Sequence, residues 1–153
     1  VPFEPGRVLR LPVSQEGVAL DFTLTGLASA VVSEAFVSLC EPMLGRDEVQ
    51  FIPARVEGRA ETYFILNTLR TIQCIDVARS KRVVFWEPRH GVPELVGHYR
   101  YVGGMVLDVT SIGDAQMFRT WGWTMGVIIS ERIQRAIVSA GLVGPKFEAN
   151  QGG

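Results

Sequence analysis

The strongest constraint on the fold is a run of four segments that are rich in β-branched and aromatic residues and have no helical pattern between them. These residue types favour β-strands. Strands that follow one another without intervening helices pair with their neighbours, which predicts an antiparallel meander. Glu57-Gly58-Arg59 has the composition of a hairpin turn between the first two segments. The four predicted strands cover residues 49–56, 63–75, 83–86 and 98–109, and Gly103-Gly104 is expected to bend or turn the last of them.

An amphipathic helix is predicted on each side of this strand-rich middle. The first begins at Ser33 and the second at Ser130, and each serine is followed by a glutamate. Serine is a preferred N-cap, and an acidic first turn suits the positive end of the helix dipole. Pro42 ends or kinks the first helix, because proline disfavours helical geometry in the preceding residue. The apolar stripes are Phe36, Leu39, Cys40, Met43 and Leu44 in the first helix, and Ile133, Ala136, Ile137 and Ala140 in the second.

The two helix starts resemble each other beyond their caps. Residues 31–34 read Val-Val-Ser-Glu and residues 128–131 read Ile-Ile-Ser-Glu. Each block continues through a glycine to a phenylalanine, Phe51 or Phe147, which we expect to lie in a strand. One interpretation is two equivalent strand–helix–strand units flanking one sheet, and the other is two unrelated helices with good caps. The sequence leaves both open, and in both cases the apolar stripes must pack on the sheet.

These elements predict an α+β fold, in which a mostly antiparallel sheet carries two amphipathic helices packed on it. The 153 residues match the size of a single compact domain, so one hydrophobic core is expected. Two further short strands are predicted at 116–121 and 127–129. Residues 1–30 are predicted to be an irregular lead-in with a short strand at 8–13, residues 31–149 the α+β domain, and residues 150–153 a disordered tail.

The charge balance and the cysteines limit the classes of partner and the compartment. Fifteen basic and 16 acidic residues give a formal net charge of −1, whereas a nucleic-acid binder normally shows a basic face. No stretch approaches the 18 consecutive apolar residues of a membrane span, so membrane insertion is not expected. Cys40 and Cys74 lie in apolar surroundings and are predicted to be buried free thiols, which fits a cytoplasmic protein.

Catalytic and metal-binding motifs are not recognisable in the sequence. It has no G-x-S-x-G, C-x-x-C or H-E-x-x-H pattern, and His90 and His98 are its two histidines. Asp76, Asp108 and Asp114 fall near predicted strand ends, where paired carboxylates could do acid–base chemistry. Aspartate at such positions is more typical of turns, in which it bonds its own backbone. We therefore predict a binding protein that is not an enzyme and uses no metal or cofactor.

Two stretches that combine aromatic and charged residues are the predicted partner-binding surface, and both are expected to lie in loops. Trp, Tyr and Arg are enriched at protein–protein hot spots, because they join a large buried area to a polar group. The alternative is that these aromatic residues only cap the core near strand ends. The first stretch contributes Trp86, Glu87, Arg89, His90, Tyr99 and Arg100, and the second contributes Arg119, Trp121 and Trp123.

The order and spacing of many positions between about residues 30 and 148 resemble a known family. The segments concerned are FIPARVEG, YFILNTLRTIQCIDVARS, and the run from LDVTSIGDAQMFR to VIISERIQRAIVSAGLVGPKFE. They are similar to the bacterial polymorphic-toxin immunity proteins, long catalogued only as a domain of unknown function. The lead-in before the first helix is shorter than the family pattern. The matching positions are Asn67, Asp76, Ser80, Ile112, Phe118, Arg119, Ser130, Glu131, Gly141, Leu142, Gly144 and Phe147.

The resemblance implies a protein that is made beside a toxin and neutralises it by direct complex formation, with no catalytic residues to transfer. Our leading hypothesis is an immunity protein that binds and occludes a cognate toxin, itself a monomer or weak homodimer. One alternative is a small hydrolase or toxin-modifying enzyme that uses the strand-end aspartates, which a cleft with converging carboxylates would favour. The other is a non-catalytic adaptor of a secretion system, which would inhibit no toxin activity.

Overall fold

The computed structural model describes residues 9–11, 20–24, 29–148 and 150–152. The strands in these ranges are β1 (Leu9–Leu11), β2 (Phe22–Leu24), β3 (Ala30–Ser33), β4 (Val49–Val56), β5 (Thr62–Thr68), β6 (Thr71–Ile72), β7 (Arg82–Phe85), β8 (Tyr99–Gly103), β9 (Val106–Leu107), β10 (Met117–Thr120), β11 (Trp123–Ile129) and β12 (Gln151–Gly152). The α-helices are α1 (Glu34–Cys40), α2 (Val109–Ile112) and α3 (Glu131–Ser139). Short 3₁₀ turns cover Glu41–Met43, Pro88–His90 and Pro93–Leu95.

The largest sheet has five strands in the order β1-β4-β5-β3-β2. The predicted strand at 49–56 is β4, and it forms a hairpin with β5 in which Arg55 lies opposite Thr62. β3 pairs antiparallel with both β5 and β2. β1 lies parallel to β4 at one edge and falls within the strand predicted at 8–13. The rest of that prediction, and most of the lead-in at 1–30, lies outside the described residues.

Two of the long predicted strands are wrong in extent, because a short break divides each of them. Residues 63–75 supply β5 to the large sheet and β6 to a second sheet of order β11-β10-β6. Residues 98–109 supply β8, β9 and the start of α2. Gly104, between β8 and β9, has a φ of +57°, a region that favours glycine and interrupts an extended strand. The bend predicted at Gly103-Gly104 is therefore confirmed. The meander is confirmed for its first and last pairs, β4–β5 and β7–β8, but it is wrong between β5 and β7, which lie in different sheets.

The α+β class is confirmed, but the sheets are mixed and three helices are present among the described residues rather than two. β1–β4, β6–β10 and β9–β12 are parallel pairs, whereas the other five pairs are antiparallel. Each parallel pair joins segments that are distant in sequence. Local patterning sets the propensity of a strand and not its partner, so these pairings could not be read from the sequence.

The two amphipathic helices pack against the five-stranded sheet and contact each other. Phe36, Val37 and Cys40 are the buried residues of α1, and Ile133 and Ile137 are those of α3. They form one core cluster with Ala30, Val32, Leu66 and Met117. After Cys40 the chain tightens into a 3₁₀ turn that contains Pro42, so the first helix ends there as predicted.

A second core cluster lies beneath the smaller sheets. It joins Cys74 and Ile75 to Tyr99, Leu107, Ala115 and Phe118. Val83 and Val102, which lie opposite each other in the β7–β8 hairpin, pack against this cluster. The hairpin is therefore fixed by one apolar face, and its other face is left for solvent or a partner.

Equivalent hydrogen bonds hold the two helix caps. The Ser33 backbone N–H donates to the Asp21 carbonyl oxygen, and its hydroxyl donates to the Asp21 carboxylate at 2.7 Å. Ser130 donates in the same two ways to Gln116, its hydroxyl at 2.6 Å. Asp21 directly precedes β2, the partner of β3, and Gln116 directly precedes β10, the partner of β11. Each helix thus follows a β-hairpin whose first strand secures the cap.

The equivalent units are hairpin–helix units rather than the strand–helix–strand units that the sequence suggested. Phe51 lies in β4 as expected, but Phe147 lies in a segment without strand structure. The units also belong to different sheets, so they do not flank a single one. The resemblance ends with the helices because the following segments pair with different partners.

Replacing Ser33 or Ser130 with alanine should lower the free energy of unfolding by about 1 kcal/mol in each case. Each hydroxyl accepts from a first-turn backbone N–H, that of Phe36 at 3.1 Å and that of Ile133 at 3.3 Å, and alanine leaves this donor without its cap. Urea unfolding monitored by circular dichroism measures the loss. Ser139→Ala, at the other end of α3, is the matched control, and equal effects at all three positions would contradict the capping role.

The carboxyl-terminal residues lie against the second half of the fold. β12 pairs parallel with β9 within the range 150–153, where the sequence predicts a disordered tail, and residue 153 lies outside the described residues.

No helix in the described part of the chain is both long and apolar enough to cross a membrane.

Candidate partner-binding site

Trp86, His90 and Arg100 form a three-way contact beside the β7–β8 hairpin. The Arg100 guanidinium carbon lies 5.3 Å from the centroid of the Trp86 ring, a cation–π arrangement. Its Nη1 lies 3.2 Å from His90 Nε2. The His90 ring meets the indole edge-on, with centroids 5.6 Å apart. These contacts hold three half-buried or exposed side chains in a defined arrangement at the surface.

A local capping box orients His90. The Glu87 backbone N–H donates to His90 Nδ1 at 2.9 Å, and the Glu87 side chain accepts from the His90 backbone across the Pro88–His90 turn. Glu87 also pairs with Arg89 at 2.6 Å, where both side chains are well exposed. An exposed ion pair of this kind contributes at most about 1 kcal/mol to stability. Breaking this ion pair to contact another protein therefore costs the fold little free energy.

Trp121 brings the two predicted stretches together. Its ring contacts the rings of His98 and Tyr99, with centroid distances of 4.8 and 6.4 Å. The Tyr99 backbone N–H donates to the Gly122 carbonyl oxygen. Gly122 has a φ of +74°, and a Cβ there would lie 3.1 Å from the Tyr99 ring, so the turn needs glycine in order to approach. Segments about twenty residues apart thus become neighbours.

A second cation–π pair lies on the outer face of the hairpin. The Arg82 guanidinium carbon lies 5.6 Å from the Tyr101 ring centroid, and both side chains are exposed. The residues of these three groups of contacts that lie at or near the surface are named below as the aromatic–arginine cluster. Its members are Arg82, Trp86, His90, His98, Arg100, Tyr101 and Trp121.

Some of the predicted binding residues lie in strands, and not in the loops that the sequence suggested. Tyr99 and Arg100 lie in β8, and Tyr99 is only 6% exposed, so it supports the cluster from beneath. Arg119 lies in β10 and Trp123 begins β11, where its side chain packs against the second core cluster. The loop prediction is wrong for these four residues, since β8, β10 and β11 extend through them.

Arg119 reaches toward the five-stranded sheet. Its Nε donates to Thr68 Oγ1 at 2.9 Å, and burial lowers the pKa of its guanidinium. This contact joins β10 to the end of β5. Arg119 therefore has a structural contact of its own, in addition to the partner-binding role that the sequence predicts for it.

The three strand-end aspartates bond the backbone and side chains around them. Asp76 accepts from the Arg79 backbone N–H at 3.0 Å. Asp108 caps α2 and accepts from Thr110 and Ser111, and these hydrogen bonds, that from Ser111 first, lower its pKa. Asp114 lies 3.9 Å from Arg70. The contacts of Asp76 and Asp108 match the turn-forming role of aspartate, whereas that of Asp114 is an exposed ion pair.

A cleft of about 780 Å³ opens between α3 and residues 145–148 and 150. Apolar residues such as Met117, Ile137 and Phe147 line it together with charged ones. Among its described lining residues are the carboxylates Glu131 and Glu148, but none of the three strand-end aspartates. In the described part of the chain, no cluster of three or more His, Cys, Asp or Glu side chains could hold a metal ion.

Glu48 is a buried carboxylate that the sequence reading missed. It is 3% exposed, and its two oxygens accept from the backbone N–H groups of Gly45 at 2.8 Å and Gln116 at 2.6 Å. Arg70 lies 3.9 Å from it. Glu48 thereby ties the segment after α1 to the start of β10. Glutamate is almost always exposed unless paired, and nothing in the local sequence signals this burial.

The two cysteines are buried free thiols, as predicted. Burial raises the pKa of Cys40 to about 11. Burial, and then the negative charge of Asp108, raise the pKa of Cys74 to about 11. Both thiols belong to core clusters, so neither has the electropositive, accessible setting of a reactive cysteine.

These raised values predict a loss of stability in alkali. In the unfolded chain the thiols ionise near pH 9, whereas in the folded protein they stay neutral until about pH 11. Ionisation therefore favours the unfolded state, and the contribution of the neutral thiols is complete below pH 9 and declines as pH rises toward 11. The urea midpoint at pH 8 and at pH 10.5 measures the decline. Replacing both cysteines with alanine should make it smaller, and an equal decline would contradict the assignment.

No curated protein matches the sequence. A family model described as an immunity protein family (Imm11) matches residues 7–151. Since this match covers nearly all of its 153 residues, the chain belongs to the immunity protein family Imm11.

Proposed function

We propose that this immunity protein neutralises its toxin by direct binding, and that the aromatic–arginine cluster anchors the complex. Occlusion of the toxin's active site, or of a surface that it needs, blocks its activity without any chemistry by the immunity protein. An interface of standard size covers about 800 Å² on each partner, an area that the cluster and its surroundings can supply.

The observation that carries the proposal is that Trp86, Arg100 and Trp121 are held at the surface by ring contacts with their neighbours. Side chains that are already ordered lose little conformational entropy on binding. Trp and Arg also dominate the measured hot spots of protein–protein interfaces. These three residues are the proposed central anchors.

The other predicted residues take supporting places in this proposal. Glu87, Arg89 and His90 surround the Trp86 anchor and contribute polar contacts at its rim. Tyr99 holds Trp121 from the core side. Arg119 and Trp123 contact the partner only through the parts of their side chains that the fold leaves accessible.

We further propose that the protein is not an enzyme, works in the cytoplasm, and is a monomer or weak homodimer when free. The family supports the first point, because an immunity protein needs only to bind. The hydrogen bonds that engage Asp76 and Asp108 in their own turns support it as well. The free buried thiols support a reducing compartment.

The test is a titration of the toxin domain encoded beside this chain with the purified protein. Binding and occlusion predict that toxin activity falls linearly and reaches zero at an equimolar ratio. A toxin-modifying enzyme would inactivate the toxin at a small fraction of that ratio and progressively with time. An adaptor would leave the activity unchanged even in excess. Either of the last two results would overturn the proposal.

A further inference from the structure

We infer that the toxin surface covered by the aromatic–arginine cluster is acidic, and that carboxylates on it pair with the cations of residues 77–103. This inference rests on the proposed function and names the chemistry of the partner at the same site.

The charge of the chain is unevenly distributed. Residues 77–103 contain five basic and two acidic residues, a formal charge of +3. The remaining residues contain ten basic and fourteen acidic residues, a formal charge of −4. A near-neutral protein therefore concentrates its positive charge in the segment that builds most of the cluster. The five cations are Arg79, Lys81, Arg82, Arg89 and Arg100.

All five cations are exposed, and their contacts leave most of their hydrogen-bond donors available. Within the described residues, the ion pair of Arg89 with Glu87 is the one salt bridge that any of them makes. The guanidinium carbons of Arg82 and Arg100 lie 5.6 and 5.3 Å from the Tyr101 and Trp86 ring centroids, and a cation–π contact does not use up the N–H donors of a guanidinium. Such donors bind carboxylates in a bidentate manner.

Lys81 is held at its backbone and along its aliphatic stem. Its backbone N–H donates to the Gly104 carbonyl oxygen, and its aliphatic stem passes so close to Gly104 that a Cβ there would lie 2.6 Å from it. The stem therefore runs over the backbone at Gly104. Lys81 is exposed and directly precedes Arg82, a member of the aromatic–arginine cluster, so its amine is a suitable probe of the proposed interface.

Two kinds of polyanion could bind these cations, an acidic protein surface and a nucleic acid. The charge of the chain favours the acidic protein surface. Opposite potentials steer protein partners together and exclude wrong ones. A nucleic acid would need a basic protein, whereas this chain has a formal net charge of −1. Its family is one of immunity proteins, which act on toxins that are themselves proteins. Tight binding of duplex DNA would contradict this choice, so the experiment below includes it as a measured outcome.

Zero-length carbodiimide cross-linking of the complex with the toxin domain tests the inference directly, because it couples a lysine amine only to a carboxylate in contact with it. The sequence contains two lysines, Lys81 in the cationic segment and Lys146 outside it, so Lys146 is a built-in control. We expect a cross-linked peptide that joins Lys81 to an Asp or Glu of the toxin. A stable complex whose cross-links use only Lys146, or that yields none, would overturn the inference and leave the proposed function standing.

Association kinetics with the same toxin domain give the second measurement. Lys81→Glu combined with Arg82→Glu should lower the association rate at low salt about tenfold or more, and added salt should reduce the difference. Arg55→Glu combined with Arg132→Glu changes the net charge equally at exposed positions outside the segment. Equal effects of the two pairs, or equally tight binding of the wild type to duplex DNA, would contradict the inference. A wild type that does not bind the toxin at all would overturn the proposed function and this inference together.

Discussion

Replacing Trp86 or Trp121 with alanine is expected to weaken toxin binding by about thirtyfold or more, which corresponds to about 2 kcal/mol or more. Each indole offers a large apolar surface that is already ordered, Trp86 by Arg100 and His90, and Trp121 by His98 and Tyr99. Alanine removes that surface and leaves the partner's pocket unfilled. Titration calorimetry with the purified toxin domain measures the loss of affinity.

The matched control is Phe147→Ala. Phe147 is 37% exposed and Trp121 is 39% exposed, but Phe147 lies in the carboxyl-terminal segment and outside the cluster. Its replacement should leave the affinity within about threefold of the wild type, since surface changes away from an interface seldom exceed about 0.5 kcal/mol. Thermal unfolding of all three variants checks that they are folded. Equal losses for Phe147 and the two tryptophans, or no loss for either tryptophan, would remove the cluster as the binding site.

Replacing Glu48 with alanine is expected to lower the free energy of unfolding by about 3 kcal/mol. The substitution removes the acceptor of two partly buried hydrogen bonds, those from the backbone N–H groups of Gly45 and Gln116, and Arg70 loses its buried partner. Glu48→Gln should cost less but remain clearly destabilising, because an amide has one oxygen and its NH₂ group would face one of the two donors. Urea unfolding monitored by tryptophan fluorescence measures both changes.

Glu61→Ala serves as the comparison for Glu48. Glu61 lies exposed in the turn between β4 and β5, so its replacement should change the free energy of unfolding by no more than about 0.5 kcal/mol. A loss below 1 kcal/mol for Glu48→Ala would show that water replaces its hydrogen bonds, and that the link between α1 and β10 does not depend on them.

The sequence supplied the residue types of the candidate site but not their arrangement. The abundance of Trp, Tyr and Arg at 86–101 and 119–123 singled out two segments that the structure brings into contact. It could not show that Trp121 meets His98, because their contact depends on how β10 pairs with β6 and how the Gly122 turn approaches Tyr99. For the same reason it gave no sign that Trp123 packs against the core while Trp86 stays at the surface.

Local sequence patterns account for the elements whose causes lie within a few residues. Ser33 and Ser130 begin helices because a serine hydroxyl can accept from the first turn, and the hairpin of β4 and β5 follows from two β-rich segments with a polar turn between them. Tertiary contacts were needed to establish which distant strands lie side by side, where the strand predicted at 63–75 breaks, and that Glu48 is buried. These outcomes depend on hydrogen bonds and packing between segments that are far apart in the chain, and short-range periodicity carries no information about such partners.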